Sequence, residues 1–211
     1  MNRRMFFAAG GAVAALAPLG LWTANTGAAN GAASGKREDP ALPQDGPKWF
    51  TNALVQTDDG RTVRFYDDLL KDKIVLINFF FTGCDAICPL MTANLVKVQG
   101  LLGPRMGRDI FMYSISLQPH TDTPETIRSY AVSHGVRPGW SFLTGQPRDI
   151  ERLQHRLGFV DSDPVQDADL EQHIGTVRIA NVPLHRWAMS PALSNPEVIV
   201  RTVSRVIPGG L

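Results

Sequence analysis

Residues 74 to 89 read Ile-Val-Leu-Ile-Asn-Phe-Phe-Phe-Thr-Gly-Cys-Asp-Ala-Ile-Cys-Pro, and this stretch decides the fold. Its first half, Ile74 to Phe81, is almost entirely apolar, which is typical of a central strand that is covered on both faces. Apolar residues at helical spacing then predict a helix from Pro89 to Leu102. The stretch therefore predicts a buried strand that passes into a helix through a turn holding Cys84 and Cys88, the two cysteines of the chain.

Strands and helices alternate on both sides of this stretch. We predict an α/β fold with a central, mixed, mainly parallel sheet that is flanked by helices and preceded by a β-hairpin. The segment from Arg186 to Pro196 matches no pattern, and its Trp187 and Met189 are interpreted as packing residues. The other predicted elements are a hairpin over 50–65, a helical turn at 67–70, strands at 110–117, 141–143 and 176–180, and helices at 123–134, 147–157 and 196–206.

The composition of the chain narrows the possible functions. Its 211 residues include 21 Lys and Arg against 20 Asp and Glu, so the formal net charge is only +1. Such a chain lacks the basic excess that binding to nucleic acid phosphates requires, and nucleic acid is excluded as a partner. The hydrophobic share of 44% is ordinary for a globular domain and does not indicate a disordered chain.

The N-terminal segment predicts export. Arg3 and Arg4 precede a mildly apolar run from Met5 to Trp22, followed by small residues. Residues 1–29 are predicted to be an export signal, of the twin-arginine type, or an uncleaved membrane anchor. In both cases residues 30–47 form a flexible linker and residues 48–211 form an extracytoplasmic domain.

The position and spacing of the two cysteines predict reactive thiols. Cys84 and Cys88 lie at the start of a helix, where the helix dipole and backbone N–H groups favour an anion and lower the pKa of a thiol. A spacing of i, i+4 on a helical turn brings Cβ atoms within roughly 5–6 Å, whereas a disulfide needs about 3.5–4.5 Å. The pair is therefore expected to form a strained, reducible disulfide or, when reduced, a two-thiolate site for a soft metal.

Three other interpretations of the cysteine pair are less consistent with the sequence. A structural disulfide over so short a loop would add only about 2 kcal/mol to stability. Two inert buried cysteines are common in proteins, but not as the single tight pair of an exported chain. A structural zinc site needs four ligands, which two cysteines and dispersed histidines do not supply.

The sequence resembles the Sco/SenC family of copper chaperones and thiol proteins from about Phe50 to Ile179. This resemblance implies a thioredoxin-like fold for that region, which includes nearly all of the predicted core. The matching segments are Thr57-Asp58-Asp59-Gly60-Arg61, Lys73 to Phe80, Thr82-x-Cys84-x-x-x-Cys88-Pro89, Asp122-Thr123-Pro124-Glu125, Leu143-Thr144-Gly145, and His173 before a strand.

The resemblance implies copper as the bound metal, with Cys84, Cys88 and His173 as ligands. One implied function is a periplasmic metallochaperone that delivers copper to an extracytoplasmic copper enzyme, such as a terminal oxidase. The alternative is a thiol–disulfide oxidoreductase in which Cys84 and Cys88 form the redox pair and reduce cysteines of a copper-site partner. A peroxide-reducing or redox-sensing relative is a third possibility. A further copper chaperone or thiol reductase of the periplasm is an additional candidate partner, and the question of whether the protein is an enzyme stays open.

The sequence departs from the family pattern around the proposed ligands. Asp85 and Ala86 stand where the family usually has Pro-Asp, Gln118 replaces an acidic residue, and Ile174 replaces a Ser or Thr. These changes are expected to alter copper affinity, because neighbouring groups orient metal ligands. The remaining histidines are interpreted as surface or structural residues, namely His120, His134, His155 and His185.

Overall fold

A computed structural model describes residues 50–160, 163, 165, 169 and 175–211 of the chain. The predicted export signal at 1–29 and the linker at 30–47 lie outside the described residues. The seven strands are β1 (Leu54–Thr57), β2 (Thr62–Arg64), β3 (Ile74–Phe80), β4 (Ile110–Ser116), β5 (Trp140–Gly145), β6 (Thr176–Asn181) and β7 (Arg186–Pro191). The α-helices are α1 (Ile87–Leu102), α2 (Pro124–Ser133), α3 (Pro147–Leu157) and α4 (Pro196–Val206), with a short π-helix at Phe65–Leu70 and a 3-10 turn at Gly103–Arg105.

The seven strands form one mixed sheet in the order β2-β1-β5-β4-β3-β6-β7. The predicted α/β class with an N-terminal hairpin is confirmed, but the parallel pairing is limited to β3 with β4 and β4 with β5. The outer strands pair antiparallel because β1–β2 and β6–β7 are joined by short turns, which only an antiparallel pair allows. Parallel strands therefore occupy only the centre of the sheet.

Strand β3 lies inside the sheet and is covered on both faces, as its apolar sequence predicts. The ring of Phe79 packs edge-on against Phe159, with centroids 4.8 Å apart. The next residue, Phe80, points to the opposite face and packs against Phe142 of β5 and Tyr130 of α2, at 4.9 and 5.3 Å. This double coverage holds the carboxyl end of β3 in place, and that end carries the cysteine loop.

The helix boundaries follow the capping residues in the sequence. Thr123 caps α2 by accepting a hydrogen bond from the N–H of Thr126, and Pro124 occupies the first turn. Helix α3 ends at Gly158, whose φ of 71° is the left-handed conformation that glycine adopts at low cost. Both predicted helices are confirmed at these ends.

Strand β7 is the element that the sequence analysis did not predict. It pairs with β6 along its whole length and forms an edge of the sheet. The side chain of Trp187 packs against Phe50, with ring centroids 5.2 Å apart. Met189 is 54% exposed, so the prediction that it is a packing residue is wrong. Met189 lies on the same face of β7 as Trp187 and Pro191, which are also exposed, so this face of the edge strand is open to solvent.

Among the residues that the structure describes, no helix has the length and apolar content needed to cross a membrane.

Candidate metal and redox site

The two cysteines lie at the junction between β3 and α1. Cys84 is in the connecting loop, and Cys88 is the second residue of α1. The N–H of Cys84 donates to the carbonyl oxygen of Phe81 at 3.3 Å, which turns the chain at the end of the strand. Cys84 and Cys88 are only 3% and 0% exposed, so both side chains are buried.

A hydrogen bond connects the two cysteines. The backbone N–H of Cys88 donates to the Sγ of Cys84, with 3.4 Å between nitrogen and sulfur. Ala86, the N-cap residue of α1, provides no side-chain cap, so the sulfur satisfies one of the N–H groups that a helix start leaves open. The expectation that both cysteines share one helical turn is wrong, because Cys84 precedes the helix. They meet through this capping contact, and no disulfide joins them.

The surroundings of Cys84 favour its thiolate. Burial opposes ionisation, but hydrogen bonds from the backbone N–H and thiol of Cys88 outweigh it. The backbone N–H groups of Ala86 and Ile87 add to these bonds, and the pKa of Cys84 is held below its ordinary value. This agrees with the thiol chemistry that the helix start predicts, because N–H groups at such a start stabilise an anion.

Tyr130 is a neighbour of the cysteine pair that the sequence analysis missed. Its hydroxyl lies 2.9 Å from the Oγ1 of Thr92, one helical turn after Cys88. Burial raises the pKa of Tyr130 to about 12, against the effect of the Thr92 hydrogen bond, and the negative charges of Cys88, Cys84 and Asp122 contribute to the rise. The phenol therefore stays protonated near neutral pH. The sequence gives no signal that Tyr130 lies near the cysteines, since a tyrosine at helical spacing cannot be distinguished from an ordinary core residue.

The residues that depart from the family pattern take different positions around the loop. Asp85 and Ala86 are exposed. Gln118 is partly buried, and its Oε1 lies 3.9 Å from the point that a Cβ on Gly83 would occupy. The structure therefore brings Gln118 next to the cysteine loop. His173 and Ile174 lie outside the described residues.

The candidate metal ligands that the structure brings together are the thiols of Cys84 and Cys88. Within residues 50–160 and 175–211, no three side chains of His, Cys, Asp or Glu come together as a metal site. Two adjacent sulfur donors suit a soft metal such as copper. Of the other four histidines, His120, His155 and His185 are exposed, and the Nδ1 of His134 lies 2.8 Å from the carbonyl oxygen of Tyr130.

Comparison with known proteins identifies relatives of this chain. The SCO1/SenC family model matches residues 53–207. A SCO1 protein homolog of Bacillus subtilis is 34% identical over 91 residues, which are 43% of this chain and 46% of that protein. A Stutzerimonas stutzeri protein named for copper binding is 26% identical over 117 residues, or 54% of this chain and 56% of that protein. The chain thus spans about half the length of these relatives.

A solved structure has the same fold. BsSco, described as a member of the Sco family of cytochrome c oxidase assembly proteins with a disulfide switch, matches with a TM-score of 0.59 and 25% identity. The match covers 72% of this chain and 90% of BsSco. The described domain therefore has the thioredoxin-like Sco fold.

Proposed function

The chain belongs to the SCO1/SenC family, and on that premise we propose that it is an exported copper chaperone. In this proposal Cys84, Cys88 and His173 bind copper, and the protein delivers it to an extracytoplasmic copper enzyme such as a terminal oxidase. The observation that carries the proposal is the convergence of two buried thiols at the start of α1. The copper-binding name of the Stutzerimonas relative and the oxidase-assembly role of BsSco support the metal and the client.

The described residues nearest to His173 support its assignment as the third ligand. A Cβ built on Gly175 would come within 3.7 Å of the Cδ1 of Ile87, the residue before Cys88. Two residues of extended chain span at most about 7 Å. In this proposal the imidazole at position 173 joins the two thiolates, a ligand set that suits Cu(I).

Copper is the cargo of such a protein, so binding and release are the functional steps. The thiols must lose their protons when copper binds, and the lowered pKa of Cys84 reduces the cost of that loss near neutral pH. Gly83 and Asp85, on either side of Cys84, are exposed, so a client ligand can approach over this loop. Release then proceeds by exchange of these ligands for those of the client.

Titration of the reduced protein with Cu(I) against a competing chelator tests the proposal. We expect one tightly bound copper in the wild type and an affinity at least about tenfold lower in Cys84→Ser, Cys88→Ser and His173→Ala. Losing a ligand should cost at least as much as losing a group that orients one, which lowers metal affinity about 10–100-fold. The matched control is His120→Ala, which removes an exposed loop histidine and should leave affinity unchanged. Wild-type affinity in all three ligand variants would overturn the site.

The lowered pKa of Cys84 favours a second candidate function, thiol–disulfide exchange. In this reaction the Cys84 thiolate attacks a partner disulfide, forms a mixed disulfide and releases one partner thiolate. The sulfur of Cys88 then attacks that of Cys84, which closes the intramolecular disulfide and releases the second partner thiol. The partner gains two electrons and the cysteine pair loses two. His173→Ala separates the candidates, because it should weaken copper binding and leave exchange with a model disulfide unchanged.

Export is part of the same proposal. Residues 1–29 would direct the chain out of the cytoplasm as a signal or anchor, residues 30–47 would act as a linker, and residues 48–211 would form the working domain. The twin arginines and the apolar run that follows them support this division.

A further inference from the structure

Asp122 is a buried carboxylate that the proposed chemistry does not use. It is 0% exposed and comes first in the Asp-Thr-Pro-Glu segment. The rest of that segment has a local role, since Thr123 caps helix α2 and Pro124 and Glu125 form its first turn. Capping does not require an aspartate before Thr123, so the contacts of Asp122 need another explanation.

The side chain of Asp122 reaches across to the ends of two strands. Its Oδ2 accepts a hydrogen bond from the backbone N–H of Thr82 at 3.2 Å and from the hydroxyl of Ser116 at 2.5 Å. Its Oδ1 accepts a hydrogen bond from the hydroxyl of Thr82. Three donors therefore converge on one carboxylate, and two of them belong to the residue that lies two positions before Cys84.

These contacts fasten the cysteine loop to the sheet. Phe80, the last residue of β3, lies opposite Ser116 of β4. Beyond it, Thr82 is held by Asp122, whereas Gly83 and Asp85 on either side of Cys84 are exposed. The hydrogen bonds between Thr82 and Asp122 thus hold the chain two residues before the reactive sulfur.

We infer that Asp122 is a positioning residue, which holds the segment from Thr82 to Cys84 so that the sulfur of Cys84 stays under the N–H of Cys88. The inference rests on the proposed role of the Cys84–Cys88 pair. It requires no copper, because it concerns the geometry of the two thiols.

The test replaces Asp122 by asparagine in the otherwise intact protein. An amide is neutral and has one acceptor oxygen in place of two, so it holds the Thr82 N–H and the Ser116 hydroxyl more weakly than a carboxylate does, while the Thr82 hydroxyl must turn to accept from its NH2 group. We expect hydrogen exchange of the Thr82 N–H to accelerate at least about tenfold, because a hydrogen bond to a charged acceptor is lost. The equilibrium between the Cys84–Cys88 dithiol and its disulfide, measured against dithiothreitol, should shift by a similar factor.

Two further variants separate positioning from general stability. Asp149→Asn removes another buried carboxylate, which is bonded to Arg152 within α3, and should leave both readouts unchanged. Thr82→Val removes only the hydroxyl donor and carries the test if Asp122→Asn does not fold. On the Thr82→Val background, Asp122→Asn should shift the thiol equilibrium less than it does alone.

A lowered melting temperature with unchanged Thr82 exchange and an unchanged thiol equilibrium would overturn the inference, since it would mean that Asp122 only stabilises the fold. Neither readout involves copper. A protein that fails the Cu(I) titration but shows both shifts would therefore refute the chaperone proposal and leave the role of Asp122 standing.

Discussion

Ser114 and Ser116 lie two residues apart on strand β4, both fully buried, and each joins a different polar network. The hydroxyl of Ser114 accepts a hydrogen bond from the Nε1–H of Trp140 and donates to the Oδ1 of Asn78, both at 2.9 Å. The hydroxyl of Ser116 instead donates to Asp122. One network links three strands inside the sheet, and the other links the sheet to the cysteine loop.

The difference shows that buried polar groups serve two purposes in this molecule. The network of Asn78, Ser114 and Trp140 is neutral and lies within β3, β4 and β5, so it holds elements that the core already packs together. The network of Asp122 contains a carboxylate and ties Thr82, where the cysteine loop begins, to Ser116 at the end of β4. Loss of the first should therefore lower stability, whereas loss of the second should alter the thiol site.

The largest expected effect comes from breaking the neutral network. Ser114→Ala leaves the Trp140 N–H and the Asn78 oxygen buried without their partner, and the free energy of unfolding should fall by about 2–3 kcal/mol. Urea unfolding measures this change. The dithiol–disulfide equilibrium of the folded variant should equal that of the wild type, and a shifted equilibrium would contradict the division between the two networks.

The matched substitution Ser116→Ala should have a smaller effect on stability and a larger one on the site. Asp122 keeps its two donors from Thr82, and the Gln118 N–H, which loses the Ser116 hydroxyl as its acceptor, is only partly buried, so the loss in unfolding free energy should be about 1 kcal/mol. Reactivity of Cys84 toward an alkylating reagent should change more than in Ser114→Ala. If the two serine variants differ only in stability, the comparison fails.

The smallest expected effect is a pH dependence of the free energy of unfolding, which arises from Cys84 and not from the network of Ser114. The pKa of Cys84 is lower in the folded protein than its ordinary value, so the unfolded state binds more protons between the two values. The reduced wild type should therefore become more stable, relative to Cys84→Ser, as the pH rises from the folded pKa toward the ordinary thiol value. This advantage should be lost as the pH falls through the folded pKa.

Urea unfolding of both proteins at several pH values measures the difference. Ser114→Ala should show the same pH dependence as the wild type, because its network contains no titratable side chain. A difference between wild type and Cys84→Ser that does not vary with pH would contradict the lowered pKa.

Local signals predicted most of the fold because the responsible interactions act over a few residues. The bounds of α3 follow from Pro147 and Gly158, and the start of α2 follows from Thr123 and Pro124. Strand β7 lacks such a signal. Its pairing with β6 depends on a partner strand, and four of its six residues are exposed at the edge of the sheet.

The sequence predicted the part of the site that depends on residues close together in the chain. The sequence indicated reactive thiols at a helix start, and the contact between Cys84 and Cys88 agrees with that, although Cys84 caps the helix and does not belong to it. The neighbours of the pair come from distant parts of the chain. Tyr130 and Asp122 reach the site only because α2 and its preceding turn pack against α1 and β4.

The sequence by itself determined the fold class, the cysteine pair and its family, because hydrophobic periodicity, capping residues and a short motif are written in neighbouring residues. The tertiary structure decided how the thiols are held. The hydrogen bonds that lower the pKa of Cys84 depend on the precise path of its loop, and the link between Thr82 and Asp122 joins residues 40 positions apart. Contacts between residues so distant in sequence exist only once the chain has folded, since folding places the end of β3 beside the end of β4.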